Sequence, residues 1–359
     1  MLKAAIIGAT GIVGQQFIVA LNKHPWIELA ALAASERSIN SSYRKAITDT
    51  QTGALRWFCH DNPPEDVMDL PVQNASEMST AGLDLVFSAI DTAPAKILEP
   101  RLAASIPVIS TASAFRYDND VPIIIPGINP EHARLLDLQK KSRGWKGFIV
   151  PGPNCTTVGL AISLMPIYQE FGLNFVVMTS MQAISGAGRN PGVLGLDIID
   201  NIIPFIPGEE EKVQRETQKI LGSFTGKGIE PASFKISSTC TRVNVREGHT
   251  EAVFVSTRKP CDVNTIASKL REFDGLFGES KPPSAPKRMI IVHDDPFRPQ
   301  PRLDRDVDNG MATAVGRIRK DDVLENGVKY LLVSHNTQMG AARGAVLTAE
   351  TLIQSGYIQ

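Results

Sequence analysis

The chain has 359 residues, 43% of them hydrophobic and 21% charged, which is enough to bury a substantial core and predicts two domains. Lysine and arginine (37) balance aspartate and glutamate (38), so the net charge of -1 argues against a nucleic-acid-binding or polybasic membrane-binding protein. Four widely spaced cysteines argue against a disulfide framework or a zinc site, and no apolar run reaches the roughly 18 residues of a membrane span; we expect no metal and a soluble, cytoplasmic protein.

A glycine-rich turn between a predicted strand and a predicted helix is the first motif in the chain. Residues 4–7 are an apolar run, three glycines follow at three-residue spacing, and residues 12–21 have helical periodicity. In this context glycines let backbone amides approach a pyrophosphate, whose charge then lies at the N-terminus of the helix. The alternative is a tight strand-to-helix turn without a ligand. The candidate cofactor-binding residues of this turn are Gly8, Thr10, Gly11, Ile12, Val13 and Gly14.

The end of the second predicted strand, residues 28–34, is the expected site of ribose recognition. It lies about 20 residues beyond the glycines, where dinucleotide-binding folds contact the adenosine ribose. A lone acidic residue at this place would favour NAD. Here Ser35, Arg37 and Ser38 offer hydrogen-bond donors and a positive charge that suit a 2′-phosphate. We therefore predict NADP as the cofactor, with a solvated loop of mixed charge as the alternative.

Further strand-like runs complete the first half of the chain. They cover residues 83–90, 106–110, 122–125 and 147–150. The helical stretches between them predict a doubly wound parallel sheet of the Rossmann type, and so an α/β fold.

The segment PGPNCTTVGLAI, residues 151–162, puts a cysteine between a rigid turn and a predicted helix. Cys155 follows the last strand of the predicted sheet, beyond the carboxyl end of that strand, where such sheets bind ligands. One interpretation is a small apolar residue buried beneath a loop. The other is a nucleophile whose thiolate is stabilised by the N-terminus of the helix, which Thr156 and Thr157 would open.

The second half of the chain predicts an α+β domain built on a mixed or antiparallel sheet. Its strand-like runs cover residues 175–181, 239–245, 251–256 and 329–334. Residues 194–206 are apolar enough to be buried or to pack on a partner, and residues 341–354 have a helical pattern.

Seven motifs together resemble the aspartate-β-semialdehyde dehydrogenase family, in the branch shared by archaeal and fungal enzymes. They are GATGIVG, PNCTT, MQAISGAG, DIIDNIIPFIPGEEEK, CTRVNVREGH, RPQPRLDRD and SHNTQMGAA, and they span nearly the whole chain. The resemblance implies reversible reductive dephosphorylation of β-aspartyl phosphate to aspartate semialdehyde, with oxidation of NADPH. This reaction belongs to the synthesis of lysine, threonine and methionine. The resemblance also implies a homodimer or homotetramer.

The same resemblance implies how the two domains share the chain. The dinucleotide-binding domain would comprise residues 1–154, completed by residues 336–359, because the last helix of the family packs back on the first domain. The catalytic and dimerisation domain would comprise residues 155–335. The implied cofactor contacts of the second half are Ser185, Gly186, Asn336 and Thr337, the last two near the nicotinamide.

The family mechanism implies a role for each matching side chain. Cys155 attacks the acyl carbonyl, expels phosphate and forms a thioester, which hydride from the nicotinamide then reduces. His249 is the general acid and base, and its imidazolium would also lower the pKa of the thiol. Gln182 orients the acyl intermediate. The implied substrate-binding residues are Arg242 for the α-carboxylate, Glu210 for the ammonium, and Arg116 with Lys212 for the phosphate.

Simpler interpretations of the same residues are also open. Arg116 could pair with the acids that follow it on a surface turn, and Lys212 could be a solvated residue at a helix start. Without the resemblance, His249 would be interpreted as a solvated loop histidine. We assign Cys240 and Cys261 to structural positions.

Three positions depart from the family pattern. Thr111 stands where relatives commonly have asparagine, Arg189 adds a charge after SGAG, and Arg343 replaces a common glycine. These departures leave other functions open: a diverged paralogue that reduces another acyl phosphate or an acyl-CoA, as malonyl-CoA reductases do, or a catalytically silent nucleotide-binding regulator.

Overall fold

A six-stranded parallel sheet forms the first half of the computed structural model, which describes residues 1–36, 39, 41–188 and 195–359. Its strands, within those residues, are β1 (Leu2–Ile7), β2 (Ile27–Ala34), β3 (Val72–Asn74), β4 (Leu85–Ser88), β5 (Val108–Ser110) and β6 (Ile149–Pro151). The spatial order is β3-β2-β1-β4-β5-β6, so the direction of winding reverses between β1 and β4. Open sheets of this kind bind ligands in the crevice at that reversal, outside the carboxyl ends of the strands.

Helices cover both faces of this sheet. They are α1 (Ile12–Leu21), α2 (Tyr43–Ala46), α3 (Glu65–Met68), α4 (Thr92–Ala103) and α5 (Leu135–Arg143). Along β1, Ala4 and Ile6 face one buried cluster, whereas Ala5 and Ile7 face the cluster on the other side. Burial on both faces explains why the strand is a continuous apolar run instead of an alternating one.

The segment predicted as a strand at residues 122–125 is not a strand in the structure. Ile123, Ile124 and Ile125 are buried between the two domains, with Ile124 in the core of the first and its two neighbours in the core of the second. Asn129 takes the place of a strand partner: the Ile125 N–H donates to its Oδ1 (2.9 Å), and its Nδ2 donates to the Ile123 carbonyl (2.8 Å). The side-chain amide satisfies the buried backbone, so no ladder is needed.

A mixed seven-stranded sheet organises the second half of the described chain. The strands of this half are β7 (Leu173–Gln182), β8 (Ile202–Ile203), β9 (Ser223–Phe224), β10 (Ile229–Glu230), β11 (Lys235–Val243), β12 (His249–Thr257), β13 (Ile290–His293), β14 (Thr313–Asp321) and β15 (Gly327–Ser334). Of these, β9 and β10 form a separate two-stranded ribbon, and the other seven form the sheet. The order is β13-β14-β15-β12-β7-β11-β8. The β11–β7 and β13–β14 pairs are parallel and the others antiparallel. The predicted fold class is confirmed.

The long helix that starts at Cys155 packs across this second sheet. The helices of this half are α6 (Cys155–Phe171), α7 (Gly195–Ile198), α8 (Glu209–Ile220), α9 (Val263–Glu272), α10 (Pro301–Asp304) and α11 (Ala342–Gln354). α11 returns to the first domain, where Ala345, Val346, Ala349 and Leu352 join its core. A buried hydrogen bond of 2.6 Å between His24 Nε2 and Glu350 Oε1 fastens α11 to the loop after α1.

Two features are absent from the described residues. No helix in that part of the chain is long and apolar enough to cross a membrane. Over the same residues, no group of three or more His, Cys, Asp or Glu side chains is arranged to hold a metal ion.

Candidate active site

The strand register of the second sheet brings three predicted site residues to the same end of neighbouring strands. Arg242 on β11 is the direct partner of Gln182 on β7. On the other side of β7, Thr250 pairs with Met181, so His249 at the start of β12 lies level with Gln182. All three predicted side chains are buried. The interpretation of His249 as a solvated loop residue is therefore wrong, because it begins an interior strand.

The cysteine lies directly in front of this row, at the first residue of α6. Asn154 is the N-cap, and its Oδ1 accepts the backbone N–H groups of Thr156 (2.9 Å) and Thr157 (3.2 Å). An N-cap of this kind contributes about 1 kcal/mol and fixes the path of the chain into the helix. Cys155 Sγ is 3.2 Å from His249 Nε2. The alternative of an inert cysteine beneath a loop does not fit a sulfur in contact with a histidine and facing a cavity.

The charge state of the thiol differs from the expectation. Burial raises the pKa of Cys155 to about 12, and the Glu209 carboxylate acts in the same direction. The positive charges of Arg242 and Arg116 and the Thr156 amide oppose this rise but do not overcome it. The expected low thiol pKa is therefore corrected. The protein alone favours a neutral thiol, because desolvation outweighs the helix N-terminus and the nearby cations.

The imidazole of His249 is held in one neutral form. Burial lowers its pKa to about 3, with the charges of Arg242 and His335 contributing. The Ala183 N–H donates to Nδ1 at 3.0 Å, so the ring proton is on Nε2 and is directed at the cysteine sulfur. The expected imidazolium is absent for this reason. His249 acts instead as a neutral donor, well placed to stabilise negative charge that develops on sulfur or on a nearby oxygen.

The acidic residue at the site is Glu209 and not Glu210, which corrects the sequence prediction. Its Oε1 accepts hydrogen bonds from Asn154 Nδ2 (2.8 Å) and Gln182 Nε2 (3.2 Å). Glu210 points elsewhere, and its Oε1 accepts the backbone N–H of Cys240 (3.0 Å). Successive helical residues differ in direction by about 100°, so adjacent glutamates cannot share a face.

The phase of α8 determines which of its side chains face the site. Lys212 Nζ is 3.5 Å from Glu209 Oε2, and both residues line the cavity. Glu216 lies on the same face, since positions i, i+3 and i+7 coincide on a helix. This spacing was readable in the sequence, and it is the signal that would have identified Glu209 and Glu216.

Arg116 is buried at the wall of the cavity instead of lying on a surface turn. Its Nη1 donates to Glu216 Oε1 at 3.0 Å. The acids that follow it, Asp118 and Asp120, pair with Arg143 at 2.7 and 2.5 Å. Within the described residues, Arg116 Nε is buried and has no hydrogen-bond partner. Because Arg116 lines the cavity, its positive charge is suited to binding an anion there.

A cavity of about 810 Å³ joins the first domain to this row of side chains. Thr111, whose N–H and hydroxyl both donate to the Ser88 carbonyl, is among its lining residues. The predicted site residues that line it are Ile12, Val13, Arg116, Cys155, Ser185, Gly186, Lys212, Arg242, Asn336 and Thr337. The predicted residues that do not line it are Gly8, Thr10, Gly11, Gly14, Ser35, Gln182, Glu210 and His249.

The glycine turn shapes the end of the cavity in the first domain. Gly8 has φ +80°, and a Cβ there would lie 2.3 Å from the Ala89 carbonyl oxygen. A Cβ on Gly14 would lie 2.3 Å from the Gly8 oxygen, so both positions require glycine. Gly11 caps α1 without a side-chain hydrogen bond, which leaves the first amides of the helix available beside cavity-lining Ile12 and Val13. This arrangement fits the phosphates of a dinucleotide.

Gly186 lies on the opposite wall of the cavity, and its backbone is very close to the side chains of Arg242 and His249. A Cβ on Gly186 would be 2.9 Å from Arg242 Nη1 and 3.1 Å from His249 Cε1. Asn336 Nδ2 donates to Ser185 Oγ at 2.9 Å, which joins the two segments predicted to contact a nicotinamide. The segment of Ser185 and Gly186 is therefore held close to the Cys155–His249 pair.

The remaining predicted positions lie away from the cavity or beyond the described chain. Arg343 is half-buried on α11 and does not line the cavity. Arg37, Ser38 and Arg189 lie outside the described residues.

Comparisons with known proteins agree over the full length. The family described as "Semialdehyde dehydrogenase, NAD binding domain" matches residues 3–136, and "Semialdehyde dehydrogenase, dimerisation domain" matches residues 164–339. The aspartate-semialdehyde dehydrogenase of Archaeoglobus fulgidus is 46% identical over 98% of both chains. The crystal structure of the Candida albicans aspartate semialdehyde dehydrogenase with NADP is 39% identical, with a TM-score of 0.88 over 100% of both chains. The malonyl CoA reductase (NADP) of Metallosphaera sedula is 38% identical over 99% of this chain and 98% of its own.

Proposed function

Because the chain belongs to the aspartate-semialdehyde dehydrogenase family, we propose that it catalyses the reversible, NADP-dependent conversion of β-aspartyl phosphate to aspartate semialdehyde and phosphate. It is an oxidoreductase of amino-acid biosynthesis, in the route to lysine, threonine and methionine, and we place it in the cytoplasm. The observation that carries the proposal is the 3.2 Å contact between Cys155 and the neutral His249 at a cavity lined by three cationic side chains. Those cations are Arg116, Lys212 and Arg242.

The first step is acyl transfer to the thiol. Cys155 Sγ attacks the acyl carbonyl, the carbon–sulfur bond forms, and the bond from carbon to the phosphate oxygen breaks. The proton of the thiol leaves with the phosphate, so the products are a thioester and hydrogen phosphate. As sulfur loses its proton, the Nε2–H of His249 donates to it, which lowers the cost of a thiolate in a buried site.

The second step is reduction of the thioester. Bound NADPH would supply the hydride for this step. Hydride addition would leave a negative charge on the carbonyl oxygen, which the Nε2–H of His249 can stabilise by donating a hydrogen bond. Breaking of the carbon–sulfur bond then releases the aldehyde, and the cysteine sulfur takes one proton from solvent, which restores the thiol. Gln182, hydrogen-bonded to Glu209 at 3.2 Å, would orient the acyl group.

Substrate recognition follows from the charges around the cavity. Arg116 and Lys212, which both line the cavity, would bind the phosphate through their positive charges. Arg242, a planar bidentate donor, would bind the α-carboxylate. We now assign the substrate ammonium to Glu209 in place of Glu210, because only Glu209 reaches the cavity.

The proposal includes the place of the cofactor. NADP would lie along the glycine turn and reach Ser185, Gly186, Asn336 and Thr337, with Ser35 near its ribose. Arg37 and Ser38 complete the proposed 2′-phosphate contacts.

The proposal also includes the domain limits and the assembly. The domains would be residues 1–154 with 336–359, and residues 155–335. A homodimer or homotetramer would cover exposed apolar side chains at the edge of the second sheet, namely Leu196, Ile199, Ile202 and Phe205.

One assay separates this function from the alternative favoured by the Metallosphaera relative. NADP reduction with aspartate semialdehyde is measured with and without inorganic phosphate, beside NADPH oxidation with malonyl-CoA. We expect phosphate-dependent NADP reduction and little activity on malonyl-CoA. Activity on malonyl-CoA alone would overturn the assignment, and cofactor binding without either activity would indicate a regulator.

A further inference from the structure

Helix α8 carries a buried carboxylate that the proposed mechanism does not use. Glu216 is fully buried, two turns beyond Glu209 on the same face of the helix. Burying a carboxylate is costly unless it is paired and hydrogen-bonded, so its partners should account for its position.

The two oxygens of Glu216 bind two different parts of the site. Oε1 accepts hydrogen bonds from Arg116 Nη1 (3.0 Å) and from the Tyr117 hydroxyl (3.3 Å). Oε2 accepts the backbone N–H of Asn154 at 2.6 Å. Asn154 is the N-cap that precedes Cys155. One rigid, planar group therefore spans the proposed phosphate-binding arginine and the peptide that leads into the nucleophile.

Helix α8 also holds these two segments at other points. Lys219 Nζ donates to the backbone carbonyls of Arg116 (2.8 Å) and Val121 (2.7 Å), which fixes the chain that carries the arginine. Glu209 accepts the side-chain amide of Asn154 at 2.8 Å. Asn154 is thus held by two carboxylates of one helix, at its side chain and at its backbone.

We propose that Glu216 is a positioning residue that sets the phosphate-binding arginine at a fixed place relative to the nucleophile. Arg116 binds Glu216 through Nη1 and also lines the cavity, so its guanidinium charge is held where an anion in the cavity can meet it. The assignment of the anion as the reacting phosphate rests on the proposed function. Positioning by Glu216 requires only that Arg116 binds inorganic phosphate, with or without turnover.

Loss of the carboxylate has a defined consequence for each partner. Arg116 becomes a buried cation without its counterion and can change rotamer, so its guanidinium no longer keeps its place at the cavity. The Asn154 N–H is left without a charged acceptor, although a glutamine can still offer one oxygen to it. The arginine should therefore be affected more than the start of α6.

The test compares Glu216→Gln with Glu211→Gln, the same change on the exposed face of the same helix. Titration calorimetry with inorganic phosphate gives a Kd, and steady-state kinetics give KM for phosphate and NADP beside kcat. For Glu216→Gln we expect the phosphate Kd and KM to rise about tenfold or more, with the NADP KM within about twofold. Glu211→Gln should match the wild-type protein.

A double-mutant cycle distinguishes positioning from general support of the fold. If Glu216 acts through Arg116, adding Glu216→Gln to Arg116→Ala should raise the phosphate Kd no further. Additive losses, or a Glu216→Gln protein with unchanged phosphate affinity, would overturn the proposal. Should Glu216→Gln fold poorly, Glu216→Asp keeps the charge but is too short to span both partners, and the same loss of phosphate affinity is expected.

The phosphate Kd and the rate of NADP reduction are separate measurements, so the positioning role of Glu216 and the proposed function can be refuted independently. A wild-type protein that fails to reduce NADP with aspartate semialdehyde would refute the function. The phosphate Kd would still decide the positioning role, because it needs no turnover. A wild-type protein that binds no phosphate at all would refute the positioning role.

Discussion

Cys155 Sγ and His249 Nε2 lie 3.2 Å apart although the two residues are separated by 94 positions in the chain. The cysteine begins a helix and the histidine begins an interior strand of the sheet beneath it. The Ala183 N–H occupies Nδ1, so the contact is made by an Nε2–H directed at sulfur. A thiol with a raised pKa and an imidazole with a lowered pKa form a neutral pair, in which charge develops only during reaction.

Replacing the nucleophile tests the covalent mechanism. Cys155→Ala should abolish turnover, because no thioester can form, while NADP should still bind at the glycine turn. Turnover is measured by NADP reduction and cofactor binding by fluorescence titration. The control is Cys240→Ala, which changes a buried cysteine on β11 and should leave turnover unchanged. Measurable turnover by Cys155→Ala would refute a covalent intermediate.

The lowered pKa of His249 predicts a change of stability with pH. The group titrates near 6.5 in the unfolded chain and near 3 in the folded protein, so the unfolded state binds more protons between these values. Stability from the neutral buried ring is present above about pH 6.5 and is lost as the pH falls toward 3, by at most about 1.4 kcal/mol per unit.

Urea unfolding of the wild-type protein and of His249→Gln at pH 7 and pH 5 checks this prediction. The wild-type protein should lose more stability than the variant on acidification. An equal or smaller loss in the wild-type protein would show that His249 is not held neutral by burial.

The choice between adjacent glutamates can be tested with one substitution at each. Glu209→Gln removes the charge beside Gln182 and Lys212, so kcat/KM for aspartate semialdehyde should fall about 10- to 100-fold. Glu210→Gln keeps an oxygen for the Cys240 amide and should stay within about threefold of wild type. Steady-state kinetics decide between them, and a larger loss for Glu210→Gln would reverse the assignment.

The close approach of the cavity wall predicts that Gly186 tolerates no side chain. Gly186→Ala places a Cβ 2.9 Å from Arg242 Nη1 and 3.1 Å from His249 Cε1, so both side chains must shift. We expect kcat/KM to fall at least about tenfold, since small displacements of catalytic groups are costly. Gly195→Ala is the matched control, because a Cβ there meets nothing within 4 Å. Equal kinetics for the two variants would contradict this geometry.

Arg343 should have no part in cofactor binding. The side chain lies on α11 and does not line the cavity, so Arg343→Gln should leave the NADP KM within about twofold. The measurement is a kinetic titration of NADP at saturating phosphate and aspartate semialdehyde. A several-fold shift in either direction would show that the arginine reaches the cofactor.

Local sequence patterns predicted the elements of the fold well. The helix at residues 12–21 has the predicted bounds, and the apolar runs around β1, β2 and β7 became interior strands. The failure at residues 122–125 has a specific cause: an apolar run at a domain seam is buried like a strand, but Asn129 satisfies its backbone. Periodicity in the sequence indicates which residues are buried, but it does not indicate which group forms the hydrogen bond of a buried backbone amide.

The sequence by itself determined the order of elements, the glycine turn and the set of residue types available for thiol chemistry, because each depends on neighbours within a few positions. Tertiary structure alone decided that Cys155 meets His249, that both are neutral, and that Glu216 joins Arg116 to the nucleophile. These depend on strand register, on desolvation and on contacts between residues as far as 100 positions apart. The position of Glu209 depends on both: the helical spacing can be seen in the sequence, but tertiary packing decides which face of α8 contacts Asn154.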